Sequence, residues 1–467
     1  MKIDQAELQK SLELALARHH VPGASVAVFH VGNMLTAAAG VCNRNTGVEL
    51  TPETVMHVGS ITKVLNATLV MQLVDDELVD LNRHVIQYLP ELRLRDHEAL
   101  ERITVKMLLN HTSGIDGDML PNSGHDDEII EKAVQRFERV GQIHKPGAEF
   151  SYCNAGTVIA GFLAQKLRSK SWYQLLNERI VGPLGLTHSA VLPEEALLFR
   201  ASVGHFTNSA VPAEPTPTSC VFLPMSFAPA GTTLMMSARD LTTFACAHLG
   251  RGLGLNGYRI LSERSALAMQ EVTVNNKGKG YNWTDSMGLG WMLFDDGMLH
   301  HAGGGPGIVS VLYAHPRHQF AVSILTNAAH GFGLINDLLQ PWFDQMGTTK
   351  PVGWADISIP SQKVPFDPDR YVGVYENVIN RFKISRTPTG LALSQQAKFS
   401  PYDNMSTEAS PATPLLPLGD EKFLLGEQVD KGDASSDGFR LFVFRNLDAA
   451  GRPQHIGNGV RLYRRVA

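Results

Sequence analysis

The chain has 467 residues, more than one hydrophobic core normally organises, so two domains are expected. Hydrophobic residues make up 43% and charged residues 19%, the balance of a globular protein rather than a disordered one. A net charge of -5 supplies no basic field for nucleic acid and no polybasic stretch for an anionic membrane surface, which leaves a small molecule or short peptide as the expected partner.

The first residues carry early acids and no apolar run of secretory length. They predict an amphipathic helix with Ile3, Leu8, Leu12, Leu14 and Ala15 largely on one face. No later segment reaches the 18 or so apolar residues of a membrane span, and a cytoplasmic location is expected. Residues 23 to 41 predict a β-hairpin around a Gly-Asn turn, and residues 60 to 78 a helix too apolar to lie on the surface. Further helices are predicted near 104 to 110, 127 to 140, 155 to 168, 172 to 180 and 238 to 249. Strands are predicted at 288 to 294, 297 to 302, 307 to 315 and 319 to 327, then a helix near 331 to 346.

A hairpin at one end and a meander at the other imply an α+β fold, with an antiparallel sheet flanked by helices and a helical subdomain between. That domain is placed at 1–346. Residues 347 to 365 read as a Gly, Thr, Pro and Ser linker. Residues 366 to 467 alternate in short runs, including Phe439 to Phe444 and Val460 to Tyr463, which favours a small β-barrel or sandwich. Cys42, Cys153, Cys220 and Cys246 form no Cys-x-x-Cys pair and read as buried thiols. Neither a metal nor a cofactor is expected. His19-His20 and His300-His301 lack ligand spacing, since strand neighbours point to opposite faces. Gly252 to Gly257 matches a dinucleotide fingerprint only in letters, because it follows a helix.

The chemistry starts at Gly59-Ser60-Ile61-Thr62-Lys63, where a serine at a helix start carries a lysine three residues on, on the same face. Burial beside the hydroxyl lowers an amine's pKa, so a neutral Lys63 can take the Ser60 proton, and the helix start offers free N–H groups to an oxyanion. Tyr152-Cys153-Asn154 precedes a helix-like run: Tyr152 can relay or accept a proton beside Lys63, and Asn154 can bond both Lys63 and a substrate amide. At His301-Ala302-Gly303-Gly304-Gly305 a glycine-rich strand end lets backbone approach a ligand. His301 orients substrate or assists proton transfer there, and the Gly304 N–H is a second oxyanion donor. His111, in Leu108-Leu109-Asn110-His111-Thr112-Ser113-Gly114, reads as structural. No Gly-x-Ser-x-Gly elbow is present.

These motifs, with Pro183-Leu184-Gly185-Leu186, Ser237-Ala238-Arg239-Asp240-Leu241 and Met287-Gly288-Leu289-Gly290-Trp291 in order, make the chain resemble the serine β-lactamase and penicillin-binding-protein superfamily over most of residues 20 to 345. The branch resembled is that of class C enzymes, related esterases, D-aminopeptidases and acyl-transferases. By that resemblance Ser60 and Lys63 match the family's nucleophile and base, and Tyr152 and Asn154 its Tyr-x-Asn pair. His301-Ala302-Gly303 takes the place of Lys-Thr-Gly, with Gly303 and Gly304 beside the substrate. Histidine is at most partly charged at neutral pH, which argues against efficient penicillin hydrolysis. The resemblance implies an ester- or amide-cleaving serine hydrolase, with acyl transfer, true β-lactamase activity or a single-turnover covalent sensor as alternatives. The C-terminal segment resembles the lipocalin-like barrels some members append, which build one cleft wall or an oligomer contact, so homo-oligomerisation stays open.

Overall fold

The computed structural model describes residues 4–467 apart from 120, 209–210, 278, 280–283, 349–359, 363, 399–406 and 427–439. Ile3, Phe439 and much of the 347–365 linker therefore lie outside the described residues.

An eight-stranded antiparallel sheet is built from both ends of the first 346 residues. Its strands are β1 (Gly23–His30), β2 (Asn33–Gly40), β3 (Val274–Asn275), β4 (Ser286–Met287), β5 (Met292–Leu293), β6 (Leu299–Gly305), β7 (Ile308–His315) and β8 (Phe320–Thr326). They run in the order β2-β1-β8-β7-β6-β5-β4-β3. The period of two sorts their side chains: Ala27 and Phe29 enter one core, while Ala24, Val26 and Val28 enter the other. Helices α1 (Gln5–Arg18) and α6 (Phe332–Met346) cover the second face through Leu8, Leu12, Leu334, Leu338 and Phe343. The first face receives α5 (Ala238–Leu249) and the helical layer of α2 (Thr62–Asp75), α3 (Asn154–Arg168) and α4 (Trp172–Leu176). Every residue of α2 from Thr62 to Leu73 is buried, as its heavy apolar load predicts.

Four local expectations need correction. Cys220 is only half-buried, unlike Cys42, Cys153 and Cys246, because it lies in a loop outside the helices and strands. Leu14 is 57% exposed, because it sits about 200° around α1 from Leu12 and cannot share its face. The β1–β2 turn is Val31-Gly32, with φ of 46° and 85°, and Asn33 already pairs with His30. Residues 288 to 294 do not form one strand. Gly290, at φ 81°, turns the chain, and the Gly288 N–H bonds to the Trp291 carbonyl at 2.9 Å, so Met287 and Met292 pair across a hairpin. The glycine backbone lies against α2, where a Cβ on Gly290 would stand 2.6 Å from that of Ala67.

Further along the chain, β9 (Gly373–Glu376), β10 (Asn380–Thr387), β11 (Gly390–Ala397), β12 (Thr413–Gly419), β13 (Lys422–Leu425), β14 (Leu441–Leu447), β15 (Pro453–Asn458) and β16 (Arg461–Arg465) close into a lipocalin-like barrel. Pairing of Tyr375 with Arg465 seals it. Tyr375, Phe382, Phe423, Phe442 and Phe444 pack edge-to-face in its interior, with Tyr463 tilted against Phe382. The barrel meets the remainder of the chain through its β15–β16 hairpin, and also where Val378 N–H donates to Asp116 Oδ1 and His455 Nε2 bonds to the Ile143 carbonyl, both at 2.9 Å. Tyr152 N–H donates to the Val460 carbonyl (2.9 Å), and Leu462 N–H to Ser151 Oγ (3.2 Å).

Candidate active site

Ser60 lies in a single 3₁₀ turn, Gly59–Ile61, that runs directly into α2. The turn is gripped on two sides by backbone. A Cβ on Gly59 would meet Gly304 N at 2.8 Å, and one on Gly231 would meet Gly59 O at 2.1 Å. Both glycines also hold positive φ, 54° and 109°. Gly231→Ala is therefore expected to displace the turn, at a cost of about 2–3 kcal/mol in stability and at least tenfold in Ser60 reactivity. Thermal unfolding and labelling rates of the variant check this, and unchanged labelling would mean the turn tolerates the push.

Lys63 is 2% exposed, and its Nζ donates to Ser60 Oγ at 3.0 Å and to the Ala230 carbonyl at 2.6 Å. Burial lowers its pKa to about 7; the Asp118 carboxylate opposes that shift and the Arg461 guanidinium adds to it. The amine also lies 4.8 Å from the centre of the Tyr152 ring. Tyr152 is buried, with His111 tilted against its ring at 4.4 Å and Arg461 Cζ over it at 5.0 Å. Burial pushes its phenol far above the ordinary range, against the pull of a hydrogen bond with Ser60 and of the Arg461 charge. Burial thus favours the neutral phenol of Tyr152 over the phenolate.

Asn154 opens α3 and lines the cleft, its backbone N–H held by Asp118 Oδ1 at 3.0 Å. Among the described residues Lys63 gives its hydrogen bonds to Ser60 and Ala230, so the expected Lys63–Asn154 bond is not formed. Asn154 borders the cleft instead. His301 lines the cleft from β6; its Nδ1 bonds to the Ala302 carbonyl at 2.7 Å, and its buried Nε2 has no partner. Burial, then the nearby Lys63 charge, lowers its pKa to about 3. With the Nδ1 proton on Ala302, Nε2 is a hydrogen-bond acceptor. Its neighbour His300 faces the other side of the sheet, stacked between Phe294 and Tyr313. Gly303 and Gly304 lie alongside the nucleophile turn: a Cβ on Gly303 would meet the Val58 carbonyl at 2.0 Å.

Ser60, Tyr152, Asn154, His301, Gly303 and Gly304 all border one cleft of about 380 Å³, with Lys63 beneath Ser60. Its walls are completed by Leu223, Met292, Phe332, Val460 and Arg461. His111 lies behind Tyr152, its Nδ1 accepting the Cys153 N–H at 3.3 Å, and so supports the tyrosine from outside the cleft. The sequence reading missed Asp118 and Arg461. They form an ion pair that joins the start of α3 to the barrel hairpin. The dipeptide Asn458-Gly459 signals a hairpin tip, but nothing local to it signals where that tip docks.

The sequence model of the family described as Beta-lactamase matches residues 8–339. The chain is 35% identical over 380 residues to Penicillin-binding protein 4 of Amycolatopsis lactamdurans, covering 80% of this chain and 98% of that protein. Its fold is similar to the crystal structure of SurE, with a TM-score of 0.78 at 23% identity and 99% of both chains covered. It is also similar to D-amino acid amidase of Ochrobactrum anthropi SV3 complexed with D-phenylalanine, with a TM-score of 0.60 at 23% identity over 73% of this chain and 100% of that one.

Proposed function

The chain belongs to the beta-lactamase family, and from that premise we propose that it is a serine hydrolase cleaving an ester or amide bond of a small molecule or short peptide through an acyl-enzyme on Ser60. The observation that carries this reading is the 3.0 Å contact between Ser60 Oγ and a buried Lys63 whose pKa lies at about 7. A neutral amine takes the Ser60 proton as Oγ attacks the carbonyl carbon. The N–H groups of Ser60 and Gly304 receive the developing oxyanion, and Asn154 orients the substrate amide. As the tetrahedral intermediate collapses, the neutral Tyr152 phenol gives its proton to the leaving group and is reprotonated from the Lys63 ammonium. Water, activated along the same path, then releases the acyl group from Ser60 and returns each residue to its starting state. His301 remains neutral throughout and accepts a substrate hydrogen bond at Nε2.

Amides of D-amino acids are the first substrates to examine, since the fold neighbours include a D-amino acid amidase complexed with D-phenylalanine and SurE with D-Leu. The test is intact-mass analysis of the protein exposed to a short-chain p-nitrophenyl ester, a D-alanyl amide and a penicillin, with peptide mapping of any adduct. The expected result is an adduct on Ser60, with turnover of ester or amide exceeding that of penicillin. A stable adduct without turnover would instead make the protein a covalent sensor.

A further inference from the structure

A buried carboxylate beside an amine stabilises the ammonium, and an ammonium cannot accept the Ser60 proton. Asp118 puts such a carboxylate next to the base. Its side chain is 6% exposed, its Oδ1 accepts the Asn154 N–H at 3.0 Å, and among the described residues its ion-pair partner is Arg461, whose Nε donates to Oδ2. Arg461 comes from the barrel, on the first residue of β16. Its guanidinium rests over the Tyr152 ring at 5.0 Å, the same ring that Lys63 Nζ approaches to 4.8 Å. It therefore offsets the carboxylate and adds a second cation near Lys63, and both effects favour the neutral amine. Backbone on either side of Arg461 fixes it there: the Val460 carbonyl accepts the Tyr152 N–H, and Leu462 N–H donates to Ser151 Oγ.

We propose that Arg461 is a positioning residue of the barrel: by neutralising Asp118 it keeps Lys63 ready to act as base, so that acylation of Ser60 at neutral pH depends on the barrel hairpin being seated. This rests on the serine-hydrolase reading of the same cleft. The other ionisable groups around Lys63 do not change state with it. Burial raises the Tyr152 phenol and, to about 12, the Cys153 thiol, and it lowers the imidazoles of His111 and His301, so all four stay neutral. Asp116, which faces Asp118, Lys398 and Arg464, is raised by burial to about 6, below the window in which Lys63 titrates. Tyr463, which faces Arg461 and Asp118, is also raised by burial. That leaves the Asp118–Arg461 pair to set the charge beside the base.

The test is the pH profile of Ser60 acylation by p-nitrophenyl acetate, followed by stopped flow on the full-length protein. In Arg461→Met the midpoint is expected to rise from about 7 by roughly one unit, so acylation falls about fivefold at neutral pH and recovers at alkaline pH. Arg461→Lys keeps the charge and with it the wild-type midpoint. Asp118→Asn moves the midpoint down, and Asp118→Asn combined with Arg461→Met returns it towards wild type, because both charges leave together. A loss in Arg461→Met that is equal at every pH, or a double variant shifted as far as Arg461→Met alone, would reduce Arg461 to packing and overturn the proposal while the hydrolase reading stands. Should Arg461→Met fail to fold, Asp118→Asn decides, and an unmoved midpoint there overturns the proposal. Wild-type protein left unacylated at Ser60 across the whole pH range overturns both.

Discussion

Ser60→Ala is expected to abolish covalent labelling, and Lys63→Met to slow acylation by roughly a thousandfold while leaving the fold intact. Methionine fills the space of the lysine stem within α2, where every neighbour from Thr62 to Leu73 is buried, so no cavity opens. What disappears is the amine 3.0 Å from Ser60 Oγ, the proposed base. The sign of the pH dependence follows from the direction of the shift. The neutral amine is the active form, so wild-type acylation rises with pH through about 7 and then levels off, whereas Lys63→Met shows no rise in that window. Stability gives a second, independent readout. Between about 7 and 10.5 the unfolded chain holds a proton on Lys63 that the folded protein does not, so wild-type stability increases with pH across that interval. The methionine variant loses this contribution to the slope. Stopped-flow acylation and denaturant unfolding over pH 6 to 10 check both, and an acylation profile unchanged by Lys63→Met would remove Lys63 as the base.

The elements around Ser60 were legible because local chemistry and tertiary placement agree there. An apolar run that includes even Asn66 and Gln72 cannot form a surface helix, and α2 is indeed wrapped on all sides, its polar side chains bonded to backbone carbonyls of Thr157 and of Arg179 and Ile260. The His300-His301 pair resolved for the same reason, through the alternation of a strand. Where two structures share one hydrophobic pattern, the sequence reading erred. Met287, Leu289 and Trp291 alternate with glycines like a strand, yet the left-handed Gly290 folds them into a hairpin against α2. Leu14 failed by angle alone.

The half of the site that stayed hidden is the half made by distant segments. Arg461 stands 309 positions beyond Tyr152, on a strand whose apolar residues read as barrel, with Tyr463 in the barrel core. No spacing rule links it to Asp118, and only the docking of the hairpin brings the two together. His301 shows a related limit. Its identity as histidine allowed partial charge near neutrality, and only its burial beside Lys63 decides that it is uncharged.

Tyr152→Phe separates the two stages of the proposed reaction, because proton donation matters in proportion to the basicity of the leaving group. A p-nitrophenolate departs without a proton, so hydrolysis of its ester should fall by less than about tenfold. An amine does not depart unprotonated, so amide turnover should fall by roughly a thousandfold. The ring itself is retained in the variant, and with it the packing of His111 at 4.4 Å and the face that lies 4.8 Å from Lys63 and 5.0 Å from Arg461. The hydroxyl is what is lost, and burial has kept it protonated in the wild type. Steady-state rates for both substrates, with single-turnover acylation measured alongside, distinguish the cases. An equal loss for ester and amide would show that Tyr152 acts before the leaving group matters, by holding Ser60 and Lys63 in register rather than by donating a proton.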